Sequence, residues 1–221
     1  MSYKFYAYID ILGYRNLIEN DLHGGNNDFK TKLVNSFNAL STINASDVSY
    51  KSISDSIYLV FHNETLGIDY FFNIIADLQI AFLKNKLLVR GGISYNEHFE
   101  NGNVTHSLAL IDAYKLESNE AFYPRILIHN AIIEKLKNEN KYQLLISTNK
   151  IIQHGTKHQI NFLTDTNWNQ CYDLIKQISE ESNKQIDDDP KVFAKYWYLQ
   201  DYLRRFKSKK IRFKPYLKTW G

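Results

Sequence analysis

Cysteine is all but missing from this sequence. Cys171 stands alone among 221 residues, which excludes an intramolecular disulfide framework and any zinc site built on paired thiolates. No apolar run reaches the length of about 18 residues that a membrane-spanning helix needs, and no basic-then-apolar leader precedes the first element. The expectation is a soluble, cytoplasmic protein with no membrane contact. Neither sign of charge is in surplus: 27 Lys and Arg against 24 Asp and Glu leave a formal net charge of +3. That falls well short of the clustered positive excess that argues for a nucleic-acid partner. Gly-x-Ser-x-Gly, a Walker loop, internal repeats and low-complexity linkers are absent too. The histidines show no metal spacing, and His98, His106 and His129 read as loop or surface residues.

What is present is globular composition, 44% hydrophobic and 23% charged, in a chain long enough to bury a substantial core. The pattern changes near residue 129, which suggests a core over 1–128 and a C-terminal extension over 129–221 packed on it.

Two stretches carry the chemistry. In the first, Phe5, Ala7, Ile9 and Ile11 alternate with Tyr6, Tyr8 and Asp10, a strand period that puts Asp10 on the face opposite the small apolar residues. Gly13 then lets the backbone turn, so the N–H groups of Gly13, Tyr14 and Arg15 are a candidate triphosphate cradle as a helix begins. In the second, apolar halves flank Ser54-Asp55-Ser56, which reads as strand, tight turn, strand. Counting back by twos from Asp55 puts Ile53 and Lys51 on its side, so the hairpin offers a cation and a carboxylate on one face.

The remaining elements follow from periodicity. A short helix around Leu17 and Ile18 precedes a break at Gly24-Gly25, and Asp28 is the expected cap of a helix bearing Phe29, Leu33, Phe37 and Leu40. A third helix has Leu66, Tyr70, Ile74 and Leu78 on one face. A strand over 87–99 contains Arg90-Gly91-Gly92, where paired glycines imply close backbone approach. A hairpin tip over 97–102, a helix over 108–118 and a short strand over 124–128 come next. Beyond them Ile132, Ile133 and Leu136 suggest a helix, 143–148 and 159–163 suggest strands, and 168–184 a helix. Asp187-Asp188-Asp189 before Pro190 starts a last amphipathic helix with Phe193, Trp197 and Leu203. The basic run over 204–214 reads as a solvated helix end and closing strand, with a phosphate-binding patch as the alternative.

Tyr8-Ile9-Asp10-Ile11-Leu12-Gly13-Tyr14, the hairpin with Lys51 and Asp55, and Leu88-Val89-Arg90-Gly91-Gly92-Ile93-Ser94 resemble the three successive core motifs of class III nucleotidyl cyclases. Downstream, Ala109-Leu110-Ile111-Asp112-Ala113-Tyr114-Lys115-Leu116-Glu117 and Tyr123-Pro124-Arg125-Ile126 look closer to one bacterial branch, the pyrimidine nucleotide cyclases of the Pycsar anti-phage systems. The resemblance implies an α+β fold with a ferredoxin-like, palm-like antiparallel sheet and helices on one face, followed by the C-terminal α/β extension. Strand, helix, strand, strand, helix, strand is the matching element order.

The resemblance also implies an activity: conversion of a pyrimidine nucleoside triphosphate, UTP before CTP, into its 3′,5′-cyclic monophosphate and pyrophosphate. Two Mn2+ or Mg2+ ions per site would be held by Asp10, Asp55 and the carbonyl of Ile11, oxygen ligands that suit hard cations. For either aspartate alone, a turn or cap role is the bland alternative. Arg90 matches a position that reaches the substrate phosphates, its alternative being a buried arginine paired with a carboxylate. Lys51 matches a base-reading position supplied to the opposite subunit, or it snorkels. Tyr50 would stack on a base only if the register were shifted by one; otherwise it packs in the core. Lys115 falls where the family places a transition-state arginine on a helix of the partner subunit, and Ile111 takes the place of the family's asparagine, leaving Arg125 as a candidate substitute. A homodimer with sites at its interface, and a separate cyclic-nucleotide effector protein, are the implied partners. The competing expectations are a nucleotide-sensing module of weak or no turnover, and a nucleic-acid-binding protein built on a palm-like core.

Overall fold

The computed structural model describes residues 2–101, 104–206 and 213–217. Its strands are β1 (Ser2–Ile11), β2 (Val48–Ile53), β3 (Ser56–Phe61), β4 (Val89–Asn101), β5 (Val104–Ser107), β6 (Ile126–Ile128), β7 (Ile151–His154) and β8 (Lys157–Ile160). Its helices are α1 (Tyr14–Gly24), α2 (Asp28–Phe37), α3 (Ile68–Lys84), α4 (Leu108–Glu120), α5 (Asn130–Asn138), α6 (Tyr142–Ser147), α7 (Trp168–Glu181), α8 (Asn183–Asp188) and α9 (Pro190–Arg205).

β1 sits inside the sheet because both of its faces are apolar. Phe5, Ala7, Ile9 and Ile11 are buried on one side and Tyr6 and Tyr8 on the other, so neither side faces water as the outer face of a surface strand would. β3 and β4 flank it, both antiparallel, with Ile9 opposite Ile57 and Gly91. The full order is β2-β3-β1-β4-β6-β8-β7, and β5 pairs with the far end of β4. β4 and β6 run parallel; the other pairings are antiparallel. The protein is thus an α+β fold on an open, mainly antiparallel sheet, and β1 to β4 follow the ferredoxin-like order.

The main hydrophobic cluster lies between the Phe5-Ala7-Ile9-Ile11 face and a helical layer that includes Phe29 of α2 and Phe71, Phe72, Ile75, Leu78 and Phe82 of α3. One helix departs from the expected one-sided arrangement. α4 covers the opposite face, where Ser94 donates to the carbonyl of Ala109 and the ring of Tyr8 meets that of Tyr114 edge-on. Gly92 makes this possible, since a Cβ there would lie 2.5 Å from the carbonyl oxygen of Ala113, while a Cβ on Gly91 would lie 2.5 Å from that of Tyr8 on the adjacent strand β1. The same cluster runs past residue 128, taking in Ile132, Ile133, Leu136, Leu145, Ile151 and Ile160. A second cluster, built on Trp168, Ile175, Tyr198, Leu199 and Tyr202, belongs mostly to α7 and α9.

Several local expectations are corrected. Residues 143–147 belong to helix α6 and Thr148 caps it, because Leu144 and Leu145 are strong helix formers and the Thr148 hydroxyl donates to the carbonyl of Leu144 at 2.7 Å. The start of α2 is capped by Asp21, whose carboxylate accepts from the N–H groups of Phe29 and Lys30, and not by Asp28. Leu66 lies before α3 and is exposed. Residues 97–101 continue β4 to its pairing with β5, and Gly102 lies outside the described residues. The strand expected over 159–163 ends at Ile160, while its partner β7 left no clear period in so short a segment. Asp189 and Pro190 start α9 as expected: the Asp189 carboxylate accepts from the N–H of Lys191 at 2.8 Å.

Candidate active site at the end of the central strands

Asp10 is the penultimate residue of β1, opposite Ser56 of β3 and Arg90 of β4. Asp55 occupies the β2–β3 turn, which Ser54 closes at a φ of +57°. The N–H of Ile11 donates to the carbonyl of Asp55 at 3.0 Å, which ties that turn to the strand end. The two carboxyl groups are thereby neighbours. Burial pushes the Asp10 carboxyl above its ordinary value, Arg90 pulls it back, and the neighbouring carboxyl of Asp55 pushes it up again.

Arg90 flanks this pair from β4. Its Nε–H donates to Asp10 Oδ2 at 3.0 Å, and the same nitrogen lies 2.8 Å from Glu117 Oε1 on α4. The bland reading of Arg90, an arginine paired with a carboxylate, therefore describes its Nε. Its terminal guanidinium nitrogens carry no hydrogen bond among the described residues. Glu117 is the residue that sequence reasoning missed. Its side chain is only 3% exposed, Oε1 accepts no hydrogen bond, and burial pushes its pKa up to about 7 against the pull of Arg90. A signal was there: with Ala109, Ala113 and Leu116 it completes the buried face of α4, and a glutamate at such a position demands a partner.

Asp10 and Glu117 thus share one guanidinium nitrogen and Asp55 adds a third carboxyl beside Asp10, an arrangement with room for additional positive charge. Among the described residues no group of three or more His, Cys, Asp and Glu side chains is gathered closely enough to hold a metal ion by itself. Asp10 and Asp55 fit a hard cation of another kind, one held by one or two carboxylates with water and substrate phosphate filling its remaining positions.

No protein-family model matches the chain, and no curated protein matches it. Solved structures similar to it include the guanylyl cyclase Cya2, with 12% identity over 72% of this chain and 91% of that one and a TM-score of 0.43. The guanylate cyclase domain of RhGC from Catenaria anguillulae in complex with GTP gives 11%, 72%, 96% and 0.42. A bacterial light-regulated adenylyl cyclase gives 15%, 80%, 57% and 0.43. Likenesses of this size leave function to the chain's own residues.

The other residues singled out in the sequence divide into groups. Gly13 adopts a φ of +77° and precedes α1, so its N–H and those of Tyr14 and Arg15 begin the helix without protein acceptors among the described residues. The Tyr14 ring packs edge-on against Phe29, and the Arg15 guanidinium pairs with Glu19 in solvent. Lys51 lies on the same sheet face as Asp10 but two residues down the ladder, paired with Glu100. Tyr50 is corrected: the register is unshifted, so it points to the opposite face and stacks on Phe37. Lys115 and Ile111 lie on the outer side of α4, exposed, away from the buried face that carries Glu117. The Arg125 guanidinium is engaged over the rings of Tyr123 and Tyr198, at 5.3 and 5.6 Å.

His98 is corrected as well. It is buried, with Glu100 at 3.8 Å and neither ring nitrogen hydrogen-bonded, because the end of β4 folds it over Tyr6. Of the basic run, Arg204 and Arg205 pair with Asp201, and residues 207–212 lie outside the described residues. Among the described residues no helix is long and apolar enough to cross a membrane.

Proposed function

We propose that the protein is a nucleotidyl cyclase acting on a pyrimidine nucleoside triphosphate, UTP before CTP. The observation that carries the reading is the pairing of Asp10 and Asp55 at one strand end, beside an arginine with free terminal nitrogens. Mn2+ or Mg2+ ions bound there would lower the pKa of the ribose 3′-hydroxyl and neutralise charge on the departing pyrophosphate. Asp10, Asp55 and the Ile11 carbonyl would hold the cations, Arg90 would orient the phosphates through its terminal nitrogens, and the N–H groups of Gly13, Tyr14 and Arg15 would face the phosphate chain. The 3′-oxygen bonds to the α-phosphorus, the bond from that phosphorus to the β-phosphate oxygen breaks, and the hydroxyl proton passes to solvent.

Each site needs a second copy of the chain. Leu108, Ile111 and Tyr114 of α4, with Phe99 and Val104 of the β4–β5 hairpin, are exposed apolar residues, and Lys115 projects among them into space that a partner's cleft would fill. A two-fold pairing gives two equivalent sites, with Lys115 and Lys51 serving the partner's substrate. The cyclic product acts as a diffusible signal for a separate effector protein in an anti-phage system.

Incubating the purified chain with each of the four triphosphates and Mn2+ tests the reading. Formation of a cyclic nucleotide with release of pyrophosphate, greatest from UTP, is the expected result. No cyclic product from any triphosphate overturns it. Ile111 in the place of an amide favours the second reading, a nucleotide sensor, for which a triphosphate would raise the melting temperature without releasing pyrophosphate.

A further inference from the structure

α9 crosses the site end of the sheet, and its contacts trace the path. Tyr202 bonds Asn161, just past β8. One turn earlier, Tyr198 donates to Gln159 of β8 at 2.8 Å and stacks on Tyr123, which leads into β6. β6 is bound to β4 at the same end, where the N–H of Gly91 donates to the carbonyl of Arg125 at 3.0 Å. One turn back from Tyr198, α9 carries Lys195 onward from the β8 and β6 side toward β4, the strand that bears Arg90.

The electrostatics agree with this placement. Lys195 is half-buried, and among the described residues it has neither hydrogen bond nor ion pair. The charges that act on it are Arg90, Asp189, Asp10 and Lys191; burial first and Arg90 second hold its ammonium below the ordinary lysine range. A half-buried cation with neither hydrogen bond nor ion pair, under the repulsion of a second cation at Arg90, is an arrangement that a bound anion would satisfy.

We propose that Lys195, carried in by the C-terminal helix of the same chain, is a phosphate-binding residue that engages the terminal phosphates of the nucleoside triphosphate next to Arg90. The assignment rests on the site proposed above. It gives the extension a direct part in substrate binding: the chain brings its own second cation to the cleft, in addition to whatever a partner copy brings.

The test is titration of the full-length protein, in Mg2+, with inorganic tripolyphosphate and separately with UMP. Relative to wild type, Lys195→Ala weakens tripolyphosphate binding about tenfold, the size of one charge-assisted hydrogen bond, leaves UMP binding unchanged, and is rescued by Lys195→Arg. Equal tripolyphosphate affinity in wild type and Lys195→Ala overturns the proposal. So does an equal loss for both probes, or a loss that Lys195→Arg shares, since either marks a disturbed helix. If wild type binds tripolyphosphate through Lys195 but makes no cyclic nucleotide, the cyclase reading fails and the phosphate site stands.

Discussion

Arg90 faces Asp10 across the β1–β4 ladder and donates its single Nε–H to Asp10 Oδ2 at 3.0 Å. That bond leaves the two terminal nitrogens for a ligand and fixes where they point. Arg90→Lys keeps the charge but cannot hold the aspartate and a phosphate together. The variant is expected to lose about tenfold or more in kcat/KM for the preferred triphosphate, with its melting temperature lowered because Glu117 loses its guanidinium neighbour. Steady-state kinetics and thermal melts check both.

Glu117 makes stability depend on pH in a definite direction. Its folded-state pKa is raised from 4.5 to about 7, so between those values the folded chain holds a proton that the unfolded chain has released. Its contribution to stability is full below the ordinary carboxyl value and is lost as pH rises towards and through the folded pKa. Glu117→Gln removes that dependence and is expected to be more stable than wild type at pH 8 by on the order of 2 kcal/mol, and no more stable at pH 4. Urea unfolding at the two pH values measures it; parallel shifts at both would contradict the assignment.

Gly92→Ala drives a methyl group to 2.5 Å from the Ala113 carbonyl and 2.9 Å from Leu116 Cβ. Because α4 must retreat from β4, destabilisation of about 1–3 kcal/mol is expected. Glu117 withdraws from Arg90 at the same time, so activity is expected to fall further than the loss of folded protein explains. Denaturant titration alongside specific activity separates the two effects.

If Lys115 of one copy serves Asp10 of the other, Asp10→Asn and Lys115→Ala are each inactive alone. Mixed and allowed to exchange subunits, they recover activity, because one of the two sites in a mixed dimer is intact. Turnover measured before and after mixing decides the point, and no recovery would place Lys115 outside the chemistry.

The sheet was legible in the sequence where local pattern and burial agree. The alternation through Phe5, Ala7, Ile9 and Ile11, the Ser54-Asp55-Ser56 turn and the Gly91-Gly92 pair each describe a backbone constraint that the structure keeps. The convergence of Asp10 and Asp55 was legible because the hairpin returns β3 to β1 in a register set by its apolar face. Glu117 and Lys195 were not legible in the same way. Each sits on a helix whose placement depends on distant contacts, α4 on Gly92 and α9 on Tyr198 against Tyr123. The run over 143–148 misled because six residues with adjacent leucines suit a strand or a helix turn equally, and length is what separates them.

The central claim is that Asp10 and Asp55 hold the same divalent cations. Titration of Mn2+ into the triphosphate-free protein, followed by the electron paramagnetic resonance signal of the unbound ion, measures this without depending on turnover. Wild type is expected to take up Mn2+, and Asp10→Asn and Asp55→Asn are each expected to lose most of that uptake, since the remaining carboxylate cannot hold the ion alone. Folded single variants that bind Mn2+ as tightly as wild type would contradict the account.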